Sequence, residues 1–421
     1  MRSTSAETGS RSRVRVLAAA LTLLLACVLT GCSRDASIAP PTAAPDDTNV
    51  LADAGQRALD ALAKALDAGG ADTDLVAVGS VPLIPAITAN AAALQARHVD
   101  FDYVETDQAT PAASARSRWG EDTWVGVARM EYRLAADPGP TQMEVAVTFT
   151  RQDGRVRIAA IGGHGHRSPL WLRGPATILH AGRLWVVVAG HAPLARWHKL
   201  GETALRQVGE VLPRWKGDLV VEVPRDKREL DSVLDADAAT YSNIAAVTTS
   251  IDGSLALRAP IHVLINPAVF GTLERRGAQV VLTHESTHVA TRAPLSSMPT
   301  WLLEGFADYV ALAHAGVPVQ TAAHQILTDV RKHGVPTHLP TATELAPTAG
   351  GLGARYEEAW TVCRYLAATY GEAALVRMYD LANRGTSLGR AFSEALGVSK
   401  ATAVAGWRAD LARLAGVSLG G

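Results

Sequence analysis

Residues 280–290, VVLTHESTHVA, place three ionisable side chains within five positions. His284 and His288 are four residues apart, so on an α-helix both imidazoles lie on one face and can reach a single metal ion. Glu285 projects about 100° around the helix from His284, close enough to contact a water held by that ion. Zinc lowers the pKa of a bound water to about 7, and a carboxylate can take its proton during attack on a carbonyl. The spacing therefore predicts a hydrolytic zinc site with Glu285 as the general base.

The residues beside this motif are uncharged and favour a buried helix: Val280, Val281, Leu282, Val289 and Ala290. Three ionisable groups in a buried helix need partners, because an unpaired buried charge is costly. The alternative is a solvated helix with scattered polar residues that match the motif by chance. The apolar flanks favour the metal site.

The next helix offers a third ligand. A metzincin needs glycine three residues and histidine six residues after the second histidine, and these positions hold Thr291 and Pro294, which excludes that class. Glu304 follows sixteen residues after His288, within PTWLLEGFADYVALA. The predicted helix around it is apolar on nearly all sides, so the alternative of a surface carboxylate is disfavoured and Glu304 needs a partner.

The segment WLLEGFA, residues 301–307, closely resembles the Trp-Leu-x-Glu-Gly-x-Ala segment of gluzincin metallopeptidases, such as the aminopeptidase N family and its bacterial relatives. This resemblance implies that Glu304 is the third ligand of one zinc ion. Thermolysin-like gluzincins carry an aspartate four residues after the ligand glutamate, which accepts a hydrogen bond from a ligand histidine. Asp308 stands at that position and would fix the tautomer of the imidazole. The connection between the two helices is slightly shorter than in well-known gluzincins, a departure that leaves the ligands intact.

The resemblance also implies a tyrosine or histidine that stabilises the oxyanion of the tetrahedral intermediate. The candidates are Tyr356, Tyr309, His314, His324, His333 and His338. Tyr356 is favoured because related bacterial peptidases have a similar Tyr-x-x-Ala helix, and the alternative is a tyrosine that only packs. Substrate in this family lies as an extra strand on the sheet edge above the zinc helix. Residues 243–250 or 261–267 can form that edge, and the less bulky first stretch is preferred.

The N-terminus reads as an export signal. Four arginines within the first fifteen residues precede or begin an apolar run over 14–30, which is too short and too early for a membrane span. The run ends in Leu29-Thr30-Gly31-Cys32, which resembles a bacterial lipobox and implies cleavage before Cys32 and acylation of its thiol. Residues 1–31 are thus predicted to be a lipoprotein signal peptide, and 32–50 a flexible tether. Export and anchoring to the outer face of the bacterial cell membrane follow, with a plain secretory signal or an uncleaved anchor as the alternatives.

The composition narrows the class of protein. A chain of 421 residues with 48% hydrophobic and 19% charged residues fits two or three globular domains. The net charge of −1 gives no basic field for nucleic acid, so no nucleic-acid partner is expected. Cys363 is the one cysteine outside the predicted signal and lipobox, so no intrachain disulfide is expected in the mature protein, and Cys363 is predicted to be a small buried side chain.

Two α+β domains are predicted. In 51–190 one or two helices, the first ending near 69, are followed by a curved antiparallel sheet of five strands. This order resembles the cone-shaped domains named after nuclear transport factor 2. The strands are 98–105, 122–134, 143–151, 155–161 and 183–190. In 191–421 a small sheet over a mostly helical body is predicted, as in zincins. Its strands are 218–223, 244–249 and 261–265, and its helices are 193–212, 226–234, 273–291, 300–314, 319–333, 354–370, 371–383, 387–396 and 399–415.

These features predict a membrane-tethered, zinc-dependent peptidase whose partners are a peptide or protein substrate and, through Cys32, membrane lipid. The Gly-x-Met-Glu-Asn segment by which aminopeptidase N relatives hold a free amino terminus is absent from the sequence, which disfavours aminopeptidase action. The alternative function is a catalytically silent zinc-binding lipoprotein that acts as a binding or scaffold module.

Overall fold

The fold is described from a computed structural model covering residues 47–68, 75, 83–107, 113–190, 193–346 and 349–419. The predicted signal peptide, Cys32 and nearly all of the predicted tether lie outside these residues. None of the described helices combines the length and apolar character needed to cross a membrane. Residues from Thr48 onward form one compact unit.

As predicted, the N-terminal part has a helix followed by an antiparallel sheet, but in the described residues this sheet has four strands, paired in chain order. The predicted fifth strand, 183–190, joins a second sheet instead. Asp153 and Gly154 connect β3 to β4 with positive φ angles of 52° and 74°, as a two-residue hairpin turn requires. A second helix, α2, precedes β1, and a short helix that the sequence did not predict, α3, follows it. The elements are α1 (Asp47–Ala68), α2 (Leu83–Leu94), β1 (Arg97–Thr106), α3 (Ala113–Trp119), β2 (Thr123–Arg133), β3 (Thr141–Gln152) and β4 (Arg155–Ile161).

A second, mixed sheet has the strand order β5-β6-β7-β9-β8. The central strands β6, β7 and β9 are parallel, while β5 and β8 pair antiparallel at the two edges. The preferred substrate edge, within 243–250, is indeed an edge strand, and the other candidate is interior. The strands are β5 (Ala176–Ala181), which was not predicted, β6 (Leu184–Ala189), β7 (Leu219–Val223), β8 (Ala246–Ser250) and β9 (Ile261–Ile265).

Both faces of this second sheet are buried. Val186, Val221 and Val263 face the helical side, where they share a core with residues such as Leu282 of the helix Arg275–Thr291. Alternate positions on the same strands face the other way and join the core of the first sheet and α2. Burial on both sides explains why the central strands read as continuous apolar runs. The predicted domain boundary at residue 190 lies between β6 and β7, two strands that pair with each other in this sheet.

The remaining chain is mostly helical, as predicted. The helix α7 packs between the second sheet and α8, and α8 packs against α11. Cys363 on α11 is fully buried, as predicted. The predicted helix 319–333 is divided into α9 and α10. The helices are α4 (Ala195–Val211), α5 (Lys227–Leu234), α6 (Pro267–Phe270), α7 (Arg275–Thr291), α8 (Thr300–Ala313), α9 (Val319–Ala322), α10 (His324–His333), α11 (Leu352–Tyr370), α12 (Glu372–Asn383), α13 (Leu388–Leu396) and α14 (Lys400–Ala415).

A buried ionic triad joins the two sheets. His262 of β9 donates from Nδ1 to Glu222 of β7 at 2.6 Å and from Nε2 to Asp137, in the β2–β3 connection, at 2.9 Å. All three residues are at most 3% exposed. Burial alone would lower the pKa of His262, but the carboxylates of Asp137 and Glu222 together raise that pKa to about 10. His262 is therefore charged in the folded protein at neutral pH.

This triad predicts a loss of stability at alkaline pH that depends on Asp137. The folded state keeps the His262 proton up to about pH 10, whereas the unfolded chain loses it near the ordinary value of 6.5. The triad's contribution is thus complete below about pH 6.5 and declines as the pH rises through 10, by at most about 1.4 kcal/mol per pH unit. In Asp137→Asn this slope should be smaller. Urea unfolding of both proteins at pH 6, 8 and 9.5 measures it, and parallel pH dependences would contradict the prediction.

Candidate metal centre

The helix α7 is fixed on both of its sides. Leu282 and Ala278 are fully buried against the second sheet, and Arg292, in a left-handed conformation with φ of 55°, ends the helix. The opposite side faces α8, whose residues Leu302 and Phe306 are fully buried. Two helices held this closely bring His284, His288 and Glu304 together, and each of these side chains is at most 18% exposed.

The predicted ligand atoms converge on one point. His284 Nε2 lies 3.0 Å from His288 Nε2, and Glu304 Oε2 lies 3.3 Å from the first and 3.5 Å from the second. A tetrahedral zinc ion with ligands at about 2.0–2.1 Å holds its ligand atoms about 3.3–3.4 Å apart. The three atoms therefore match three corners of such a site. Among the described residues, this is the one group of three or more His, Cys, Asp or Glu side chains with metal-site spacing.

Asp308 orients the first histidine. His284 Nδ1 donates a hydrogen bond to Asp308 Oδ1 at 2.7 Å, which leaves Nε2 directed at His288 and Glu304. Burial lowers the pKa of His284, but the carboxylates of Asp308 and Glu304 outweigh it and raise the pKa well above its ordinary value. A cation must displace that proton to bind, so metal affinity should weaken as the pH falls. His288 Nδ1 is buried and has no hydrogen-bond partner among the described residues.

Glu304 is suited to be an anionic ligand. Burial would raise the pKa of its carboxyl group, but the neighbouring imidazoles of His288 and His284 hold that pKa far below its usual range. The carboxylate is therefore ionised at neutral pH. One negative charge and two imidazole nitrogens form a ligand set that zinc prefers.

Glu285 lies next to this cluster without belonging to it. Its carboxylate accepts a hydrogen bond from the hydroxyl of Thr248, on the edge strand β8, at 2.6 Å. Burial raises the pKa of Glu285, and the charges of His284 and His288 and the Thr248 hydroxyl partly oppose that rise. A raised pKa makes a carboxylate a stronger proton acceptor, as a general base requires. Thr248 is a site residue that the sequence did not reveal, because nothing local connects residue 248 to residue 285.

Tyr356, on α11, is the oxyanion candidate that the structure brings into electrostatic reach of the cluster. Burial raises the pKa of its hydroxyl, and the carboxylates of Glu304, Asp308 and Glu285 raise it further, so the group stays a neutral donor. The role of Tyr356 stays a prediction.

The other oxyanion candidates are engaged elsewhere or exposed. The Tyr309 hydroxyl donates to Glu372 at 2.7 Å, and His314 pairs with Glu210 at 3.0 Å. His333 bonds Asp329, His338 bonds the carbonyl of Leu339, and the side chain of His324 is exposed.

Gly305 sets the approach of α11 to α8. A Cβ atom built at this glycine would lie far inside van der Waals contact with the carbonyl oxygen of Ala359 on α11. The missing side chain thus allows the two helices to approach closely directly beside Glu304. This approach brings Tyr356, three residues before Ala359, towards the cluster.

The geometry of the site, and not relatedness to a known protein, supports the metal centre. The gluzincin resemblance of residues 284–288 and 301–308 accordingly stays a prediction. The chain matches no protein-family model and has no significant match among curated proteins.

Proposed function

We propose that this protein is a zinc-dependent peptidase of gluzincin type, tethered to the outer face of the bacterial cell membrane through acylated Cys32. The observation that carries the proposal is the convergence of three ligand atoms within 3.0–3.5 Å of one another, beside a buried carboxylate. The arrangement of the edge strand β8, the helix α7 and the ligand helix α8 supports a zincin-type fold. The helix and antiparallel sheet that precede them support a nuclear transport factor 2-like segment.

Each residue has a role in this proposal. When bound by His284, His288 and Glu304, zinc would supply a Lewis acid that polarises the substrate carbonyl and makes water more acidic. Glu285 takes the proton of the attacking water and passes it to the leaving amine. Tyr356 donates a hydrogen bond to the oxyanion.

The same geometry supports a mode of substrate binding. The open edge of β8 pairs with the backbone of an extended peptide, which places a peptide bond beside the base.

Metal analysis combined with a cleavage assay tests this proposal. The purified protein should contain about one zinc per chain and should cleave members of a mixed peptide library. A chelator should abolish cleavage, and added zinc should restore it, because the ligand set is formed by the folded chain. Protein that holds zinc but cleaves no library would favour the catalytically silent scaffold. Cleavage that survives complete zinc removal would refute the metal mechanism.

A further inference from the structure

Thr248 lies on the open edge of the second sheet. The N–H groups of Asn266 and Ile251 bond the carbonyls of Ala245 and Pro260, so the odd-numbered residues of β8 form the hydrogen bonds to β9. In an antiparallel pair the intervening residues direct their N–H and C=O groups away from the partner strand. The backbone of Thr248 therefore points to the open edge, where a peptide strand would pair.

The side chain of Thr248, by contrast, contacts the helix α7. Its partner across the sheet is Val263, whose side chain lies in the core that includes α7. The Thr248 hydroxyl lies 2.6 Å from Glu285 Oε2 and 3.1 Å from the backbone oxygen of Glu285. A hydroxyl has one proton to donate. The charged Glu285 carboxylate is both closer and a stronger acceptor than the backbone oxygen, so the hydroxyl donates to the carboxylate.

We propose that Thr248 is a positioning residue for the general base, an inference that rests on the proposed function. A glutamate has three rotatable bonds, and Glu285 lies beside two imidazoles that attract its carboxylate. The Thr248 hydroxyl holds one carboxylate oxygen on the β8 side and so fixes the orientation in which the other can accept a proton. The same residue offers its backbone to the substrate strand, so substrate pairing and base alignment share one anchor.

Two substitutions of the full-length, zinc-loaded protein test this role. Thr248→Val keeps the shape of the side chain but removes the hydroxyl, and Thr248→Ser keeps the hydroxyl. In Thr248→Val we expect kcat on a library-derived peptide to fall about 10- to 100-fold, with KM and zinc content within about twofold of wild type. Thr248→Ser should remain within about threefold of the wild-type kcat. Crystal structures should show that the Glu285 carboxylate has turned away from its wild-type position in Thr248→Val. In Thr248→Ser the carboxylate should keep that position.

Several outcomes would overturn the inference. A wild-type kcat in Thr248→Val would show that the hydroxyl does not position the base, and equal losses in both variants would show a packing role only. If Thr248→Val does not fold, Thr248→Ala is judged by the same criteria. A wild-type protein that binds zinc but cleaves nothing refutes the proposed function and the role of Thr248 with it. Active wild type with an unaffected valine variant refutes the role of Thr248 alone.

Discussion

Glu285→Gln is expected to keep about one zinc per chain and to lose about 100- to 10,000-fold of the peptide hydrolysis. Glutamine has the same shape and can still accept the hydrogen bond from Thr248, so the local packing is maintained. Its neutral amide cannot take a proton from water, which removes the general base. Because Glu285 is not one of the three proposed ligands, His284, His288 and Glu304, the zinc content should not change. Parallel metal analysis and initial rates on one library-derived peptide measure both effects.

The matched control is Glu210→Gln, which neutralises a carboxylate on α4 that bonds Arg206 and His314 instead of the cluster. This control should keep both zinc and the wild-type rate. A Glu285→Gln variant that cleaves at the wild-type rate contradicts the mechanism. Loss of zinc together with activity would show that Glu285 supports the metal site itself.

Gly305→Ala is expected to lower the free energy of unfolding by about 1–3 kcal/mol. The new Cβ would overlap the carbonyl oxygen of Ala359, a backbone atom that no change of rotamer can move away. Relief requires α8 and α11 to separate beside Glu304. We therefore expect zinc to bind more weakly as well. Urea unfolding and zinc titration measure the two effects.

Gly209→Ala is the appropriate control, because Gly209 also lies within a helix and a Cβ there would have no neighbour within 4 Å. Alanine at such a position should be neutral or stabilise the protein by up to about 1 kcal/mol. If Gly305→Ala matches this control in stability and zinc affinity, the close approach of α8 to α11 is not required by the site.

Short-range patterns predicted much of the structure and the site. His284, Glu285 and His288 are within one helical turn of each other, so their relation follows from helix geometry. Asp308 follows Glu304 by one helical turn, so the two carboxylates lie on the same side of α8. In the structure the Asp308 carboxylate accepts a hydrogen bond from His284 Nδ1. The hairpin at Asp153-Gly154 could be predicted because its two-residue turn requires positive φ angles, which favour the pair Asp-Gly.

Contacts between distant segments could not be predicted in this way. The hydrogen bond from Thr248 to Glu285 spans 37 residues, and the contact from His262 to Asp137 spans 125. The residue type and the local sequence around Thr248 and His262 do not indicate which distant residue each one hydrogen-bonds. The strand β6 was predicted, but an apolar run does not reveal which sheet it joins.

The shared second sheet also has a consequence for how the chain is made. Synthesis delivers β5 and β6 first, while β7, the strand that pairs with the second edge of β6, begins only at Leu219. Until then the apolar edge of β6 is a template for pairing with other chains. A fragment that begins at residue 191 would have the reverse defect, with β7 left as an open edge of the sheet that supports α7. The sheet that supports α7 is thus assembled late, from both halves of the polypeptide, and neither half supplies it alone.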